Sequence, residues 1–257
     1  MNAPMKSTLF AAALCLPGFL LAQPAAPPAV ENNAIVPVGK LENDFYDWNK
    51  RHEEILAIKD KIDPEVVLIG DSITHLWGGQ PTEPKGDRGA ISWKELFGEK
   101  RVLNCGFGWD RTQNVLFRIA NGELDGLKPK AVVIHIGTNN LAGSKNARKN
   151  SPEEIAAAIT LIAGKVHEKC PGAKIILMAV FPRGEKPDNH FRGEIEKINE
   201  ALVKGGIRDL SWLTYLDITQ DFLNPDGTMS REVMGDFLHP AEKGYAVWAK
   251  ALKPHLP

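Results

Sequence analysis

Five short apolar runs separated by helix-like stretches predict an α/β protein, a three-layer α/β/α sandwich on a five-stranded parallel sheet in the flavodoxin-like order 2-1-3-4-5. Three observations carry that expectation. The runs, at residues 66–69, 101–105, 131–136, 174–180 and 213–216, are largely apolar instead of alternating, as strands covered on both faces must be. The stretches between them can hold crossover helices, which parallel neighbours require. The turns after the first four runs hold Gly, Asn or Pro, and polar side chains of catalytic type gather there, at the edge where open parallel sheets bind ligands.

Composition sets the bounds. A chain of 257 residues, 43% hydrophobic and 25% charged, can bury one sizeable core. Its net charge of -1 offers no electrostatic footprint for nucleic acid or an anionic membrane surface, so a small, near-neutral substrate is expected.

Residues 1–22 have the pattern of a signal peptide: Lys6, an apolar run over 9–21, then the small residue Ala22. Cys15 follows Leu14, too large for the position before a lipidated cysteine, and Pro17 and Gly18 break a run already short for a membrane span. An exported protein, periplasmic or secreted and without a permanent membrane anchor, is the expectation. Residues 23–40, rich in Pro and Ala and without a period, read as a linker, leaving 41–257 as the folded domain.

Apolar or aromatic residues at 45, 48, 55 and 58 predict an amphipathic helix over 43–58. The first strand, 66–69, leads into a short helix opened by Ser72 and ended by Gly78 and Gly79. Residues 78–89, with four Gly and two Pro, read as an irregular loop, either the rim of a pocket or plain surface. The second strand is followed by the turn Gly106-Phe107-Gly108-Trp109-Asp110 and a helix over 112–119. The third strand contains His135, read as a core residue, and is followed by Gly137-Thr138-Asn139-Asn140. Pro152–Lys169 carries a full set of helix-start signals: Ser151 as cap, Pro in the first turn, and Glu153 and Glu154 at the positive end. Residues 191–204 form a helix between the last two strands, and 241–252 a closing helix. Cys105 and Cys170 are the cysteines left after the leader; a disulfide and two buried thiols are both open.

Several turns carry groups suited to acyl transfer. Ser72 offers a hydroxyl, with the plain role of helix N-cap as its alternative. His239 can take the hydroxyl proton and return it to the leaving group, and Asp236, three residues earlier, can orient the ring. Donors for an oxyanion are the backbone N–H of Ser72, another N–H from the 106–109 turn, and the side-chain amide of Asn139. Taken singly, a His before Pro is a common helix entry and Gly-Thr-Asn-Asn a common turn. Their placement at one edge of one sheet is what those plainer readings leave unexplained.

This set resembles the SGNH, or GDSL, hydrolase family. Gly70-Asp71-Ser72-Ile73 is similar to its nucleophile block, residues 104–112 to its glycine block, 137–140 to its asparagine block, and 236–239 to its terminal acid and base. The resemblance implies the SGNH hydrolase fold, Ser72 as nucleophile, Asp236 and His239 as its partners, and an oxyanion hole from Ser72, Asn139 and the glycine block. The stretches RIANGELDGLKP (118–129), 137–140 and PRGEKP (182–187) look most like the catalytic subunits of intracellular platelet-activating-factor acetylhydrolase, which implies a short acyl group, acetyl above all. One departure stands in the glycine block. Where the family has Gly before the Asp, this chain has Trp109; its N–H survives, with Gly108 the alternative donor, and its indole can wall the pocket.

No cofactor or metal is expected, since no zinc-site spacing, phosphate loop or complete dinucleotide fingerprint is present. The expected function is a serine esterase acting on a small ester, an acetylated glycan or a lipid. A carbohydrate-binding or scaffolding module without turnover and a thioesterase are the alternatives. The oligomeric state is left open, a homodimer among the options.

Overall fold

The structure, a computed structural model, describes Met1, residues 31–82 and residues 88–257. Residues 2–30, and with them the expected signal peptide, lie outside the described residues. Met1–Glu31 and Asn32–Pro257 are separate units, and all that follows concerns the second.

Strands β1 (Val66–Gly70), β2 (Val102–Gly106), β3 (Ala131–His135), β4 (Lys174–Met178) and β5 (Leu213–Leu216) form one parallel sheet in the order β2-β1-β3-β4-β5. Successive residues of β1 feed opposite faces. Val67 and Ile69 join a core with helices α1 (Trp48–Ile62), α4 (Thr112–Ala120), α5 (Pro152–Lys169) and α6 (His190–Lys204). Val66 and Leu68 join a second core with α3 (Ala90–Phe97) and α7 (Glu242–Leu252). The period-2 alternation of side chains across a doubly covered sheet produces both cores, which is why the strand sequences are uniformly apolar.

A short helix, α2 (Ser72–His75), follows β1 and packs hard on the strand ends. A Cβ on Gly70 would stand 2.2 Å from Thr74 Oγ1 and 2.4 Å from the His135 carbonyl oxygen, and one on Gly106 2.3 Å from His75 N. Only glycine lets these backbones approach so closely.

Several boundaries differ from the sequence reading. Helix α1 begins at Trp48, not at residue 43, because Asp47 Oδ1 caps the N–H groups of Asn49 and Lys50. Helix α3 was not anticipated: it has eight residues, and Gly89 before it offers no side-chain cap. The stretch read as linker is packed from Asn32 onward. Asn32 caps a 3₁₀ turn, Asn33–Ile35, whose Ala34 is buried; the Ala34 carbonyl accepts from Thr112 Oγ1 at 2.9 Å, and Asn33 Oδ1 accepts from Asn150 Nδ2 at 2.7 Å. Cys105 and Cys170 are buried free thiols, and among the described residues no helix is long and apolar enough to cross a membrane.

The second core is built on aromatic rings. Trp77 stacks on Trp248 at 4.5 Å and on Tyr245 at 5.3 Å, and the Tyr245 hydroxyl donates to the Ile73 carbonyl at 2.7 Å, tying α7 to α2. Trp248→Ala is therefore expected to cost about 3–5 kcal/mol, read as a lowered midpoint in urea at unchanged slope.

Candidate active site

Ser72 is the first residue of α2, directly beyond the end of β1. The capping role left open for it belongs to Asp71, whose Oδ1 accepts from Ile73 N at 2.9 Å. The serine hydroxyl is therefore not engaged as a cap. Its Oγ lies 2.9 Å from His239 Nε2.

Asp236 shapes the turn that presents His239. Its Oδ1 accepts from the backbone N–H of Leu238 at 3.1 Å and of His239 at 2.7 Å, and Phe237, which follows Asp236, sits at φ +61°. Its Oδ2 lies 2.8 Å from His239 Nδ1. The three-residue spacing works because the turn carries both side chains to one side. Burial by itself would raise the Asp236 carboxyl. The backbone N–H and ring of His239 and the N–H of Leu238 outweigh it and hold the group at about 2.

Across from this chain of contacts is the turn after β2. Trp109 sits at φ +64°, a left-handed conformation uncommon for a bulky residue and free for Gly. Its N–H has no acceptor among the described residues. Gly108 does not fit the donor role: its N–H donates to His75 Nδ1 at 3.2 Å. His75 can accept because burial and the charges of Arg51 and Arg118 pull its pKa down to about 2, keeping the ring neutral.

A buried scaffold holds this turn from behind. Tyr46 Oη donates to the Gly108 carbonyl at 3.0 Å, Trp48 Nε1 to Asp110 Oδ1 at 2.7 Å, and Arg118 Nε to Asp110 Oδ2 at 2.9 Å. Arg118 also binds Glu123. Burial opposes the Arg118 charge, but Glu123 and Asp110 outweigh it and raise the guanidinium's affinity for its proton. Asn139 Nδ2 donates to the Asp110 carbonyl at 2.9 Å, which orients the amide and leaves its second hydrogen for a ligand.

Ser72, His239, Trp109 and Asn139 line one cavity of about 490 Å³, together with Phe45 and Arg183. A larger concavity of about 700 Å³ between α5 and α6, lined by Ala156, Lys197 and Glu200, holds none of Ser72, Asp236 and His239. Phe45 and Arg183 were not singled out in the sequence. Phe45 fell within the predicted first helix, whereas it precedes α1 and is exposed. Arg183 stood in the turn after the fourth strand, a location that was a signal in itself.

Asp71 lies directly before Ser72. It is fully buried, and its Oδ2 has no partner among the described residues. Burial, aided by the Asp110 charge, pushes its carboxyl up to about 7 in spite of the Ile73 N–H. A carboxyl raised on folding stabilises the fold below its unfolded value near 4, and that contribution is lost as pH rises through about 7. Asp71→Asn keeps the capping oxygen and removes the proton, so the stability of wild type relative to this variant should fall between about pH 4 and 7. Urea unfolding of both proteins across that range tests it; a constant difference would refute it.

The sheet order and the nucleophile-type serine at its open edge are those of a hydrolase acting on acyl groups. More particularly, the chain belongs to the GDSL-like Lipase/Acylhydrolase family, whose sequence model matches residues 68–247. It is 39% identical over 206 residues to platelet-activating factor acetylhydrolase IB subunit alpha2 of Rattus norvegicus, covering 80% of this chain and 81% of that protein. Among solved structures it is similar to a GDSL-like lipase from Bacteroides thetaiotaomicron, with a TM-score of 0.60, 19% identity, and 82% and 98% of the two chains covered. It is likewise similar to the acetyl xylan esterase AlAXEase, with a TM-score of 0.60, 18% identity, and 75% and 99% covered.

Proposed function

We propose that the protein is a serine esterase that removes short acyl groups, acetyl above all, through Ser72, His239 and Asp236. The observation that carries this reading is the unbroken run of contacts from Asp236 Oδ2 to His239 Nδ1, 2.8 Å, and from His239 Nε2 to Ser72 Oγ, 2.9 Å, at the wall of one cavity. Ser72 Oγ attacks the acyl carbon while His239 Nε2 takes its proton. The same proton then goes to the departing alkoxide, and a water repeats the sequence to free the acid. The N–H groups of Ser72 and Trp109 and the amide of Asn139 receive the oxyanion. An acetyl preference is supported by the acetylhydrolase relatives and by the structural likeness to an acetyl xylan esterase. Export is proposed from the pattern of residues 1–22.

A series of p-nitrophenyl esters from acetyl to dodecanoyl, with acetylated glycans and an acetyl thioester as further arms, tests this reading. The highest kcat/KM should fall at acetyl. A flat profile would refute the acyl preference, and no turnover of any ester would refute the enzyme.

Trp109 enters as a wall. Its side chain is 47% exposed and lines the cavity instead of joining either core. Trp109→Gly keeps the N–H and removes the indole at a backbone angle Gly adopts freely. The variant should still hydrolyse p-nitrophenyl acetate, shift its preference toward longer acyl chains or bulkier alcohols, and keep its melting temperature within a few degrees. An unchanged profile with a large fall in melting temperature would assign the indole a packing role instead.

A further inference from the structure

We infer that the esters this enzyme favours carry an anionic group on their alcohol portion, and that Arg183 binds it; the inference rests on the esterase reading above. Arg183 leaves the end of β4 at the same sheet edge as Ser72 and lines the same cavity. Its guanidinium is held in place. It lies over the Phe191 ring at 3.9 Å, and its Nη1 is 3.4 Å from Thr138 Oγ1, beside Asn139. The turn beneath it is pinned by Arg192, whose Nε and Nη2 donate to the carbonyls of Arg183 and Gly184 at 3.1 and 2.8 Å.

What this guanidinium lacks among the described residues is a counter-ion. The other arginine on the cavity, Arg88, stands 3.7 Å from Asp236, and the buried Arg118 is paired with Asp110 and Glu123. Arg183 forms no ion pair among the described residues, and Asp71 and Asp236 answer its charge only at longer range. Among the described residues that line the cavity the one carboxylate, Asp44, abuts Gly108 on the side of the oxyanion turn. A half-buried guanidinium stays protonated at any accessible pH and has lost part of its hydration, so it gains most from an oxyanion brought by the ligand. Exposed apolar rings on the same cavity, Trp109 and Phe45 at 61% exposure, offer flat faces to whatever carries that anion. A pyranoside bearing a carboxylate meets both requirements, and a phosphate shares the anionic chemistry.

Matched pairs of acetyl esters test the assignment, with acetate release as the readout. The first pair is an acetylated methyl galacturonoside as its free acid and as its neutral primary amide. The second is acetylated glycerol phosphate and glycerol monoacetate. For wild type, kcat/KM should favour the charged member of a pair by about 10- to 100-fold, chiefly through KM, with the advantage shrinking at 0.5 M NaCl. Arg183→Gln should bring that ratio close to one, and Arg183→Lys should restore part of it. Preference in the first pair identifies a carboxylate, and preference confined to the second a phosphate; either result with Arg183 dependence supports the inference. Ratios near one in both pairs for wild type, or a ratio that survives Arg183→Gln, would overturn it. Hydrolysis of p-nitrophenyl acetate in parallel separates the two levels, since its absence refutes the esterase, whereas its presence with flat ratios refutes only the anion site.

Discussion

Ser72→Ala is expected to lower ester turnover by about 10⁴-fold or more while leaving the melting temperature within a few degrees of wild type. The two halves of that expectation have separate physical grounds. The hydroxyl lies 2.9 Å from His239 Nε2, and in the proposed mechanism it supplies the atom that forms the acyl bond, so nothing in an alanine can replace it. The helix start does not depend on it, because Asp71 supplies the capping oxygen and alanine is the best helix former at the first position of α2. Turnover of p-nitrophenyl acetate with a thermal melt of the same preparation reads both. Full activity in the variant would remove Ser72 from the mechanism, and a collapsed melt would mean that the hydroxyl has a structural part in the fold.

Much of the frame was legible because the physics acting on it is local. A parallel strand must be apolar on both faces, so β1 and β3 announce themselves, and Pro152–Lys169 is bounded by its own cap, proline and acidic first turn. What escaped depends on tertiary packing. Helix α3 is too short to display a period, and Asn32 to Gly39 is held through hydrogen bonds to α4 and to Asn150 that leave no pattern in its own residues. The site divides the same way. Asp236 and His239 share a turn and can be paired by spacing, and Gly70-Asp71-Ser72 is one strand-to-helix junction. Arg183 and Phe45 come to the cavity from distant parts of the chain, and only the sheet topology brings them together. At Gly108 the sequence shows that an N–H exists without showing that His75 already accepts it.

Asp236→Asn is the second large effect, and it separates orientation from folding. In wild type one carboxylate oxygen accepts the two backbone N–H groups that form the turn, and the other accepts the Nδ1–H of His239. An asparagine can keep its carbonyl oxygen on the backbone, so the turn should persist. Its amide then faces Nδ1 as a donor, and the ring answers by moving its hydrogen to Nε2, where it can no longer take the proton of Ser72. Turnover should fall by about 10⁴-fold with KM little changed. Stability at neutral pH should fall only by what the carboxylate's charge contributes, whereas Asp236→Ala, which removes the turn acceptor as well, should lose activity and more of the stability. The pH dependence offers a second readout. A carboxyl held at about 2 against an ordinary 3.8 stabilises the fold above about pH 4, and that contribution is lost as pH falls through about 2; the asparagine variant should lack this acid-side loss. Retention of wild-type turnover by Asp236→Asn would show that His239 is oriented by the turn alone, and that the carboxylate serves the loop but not the chemistry.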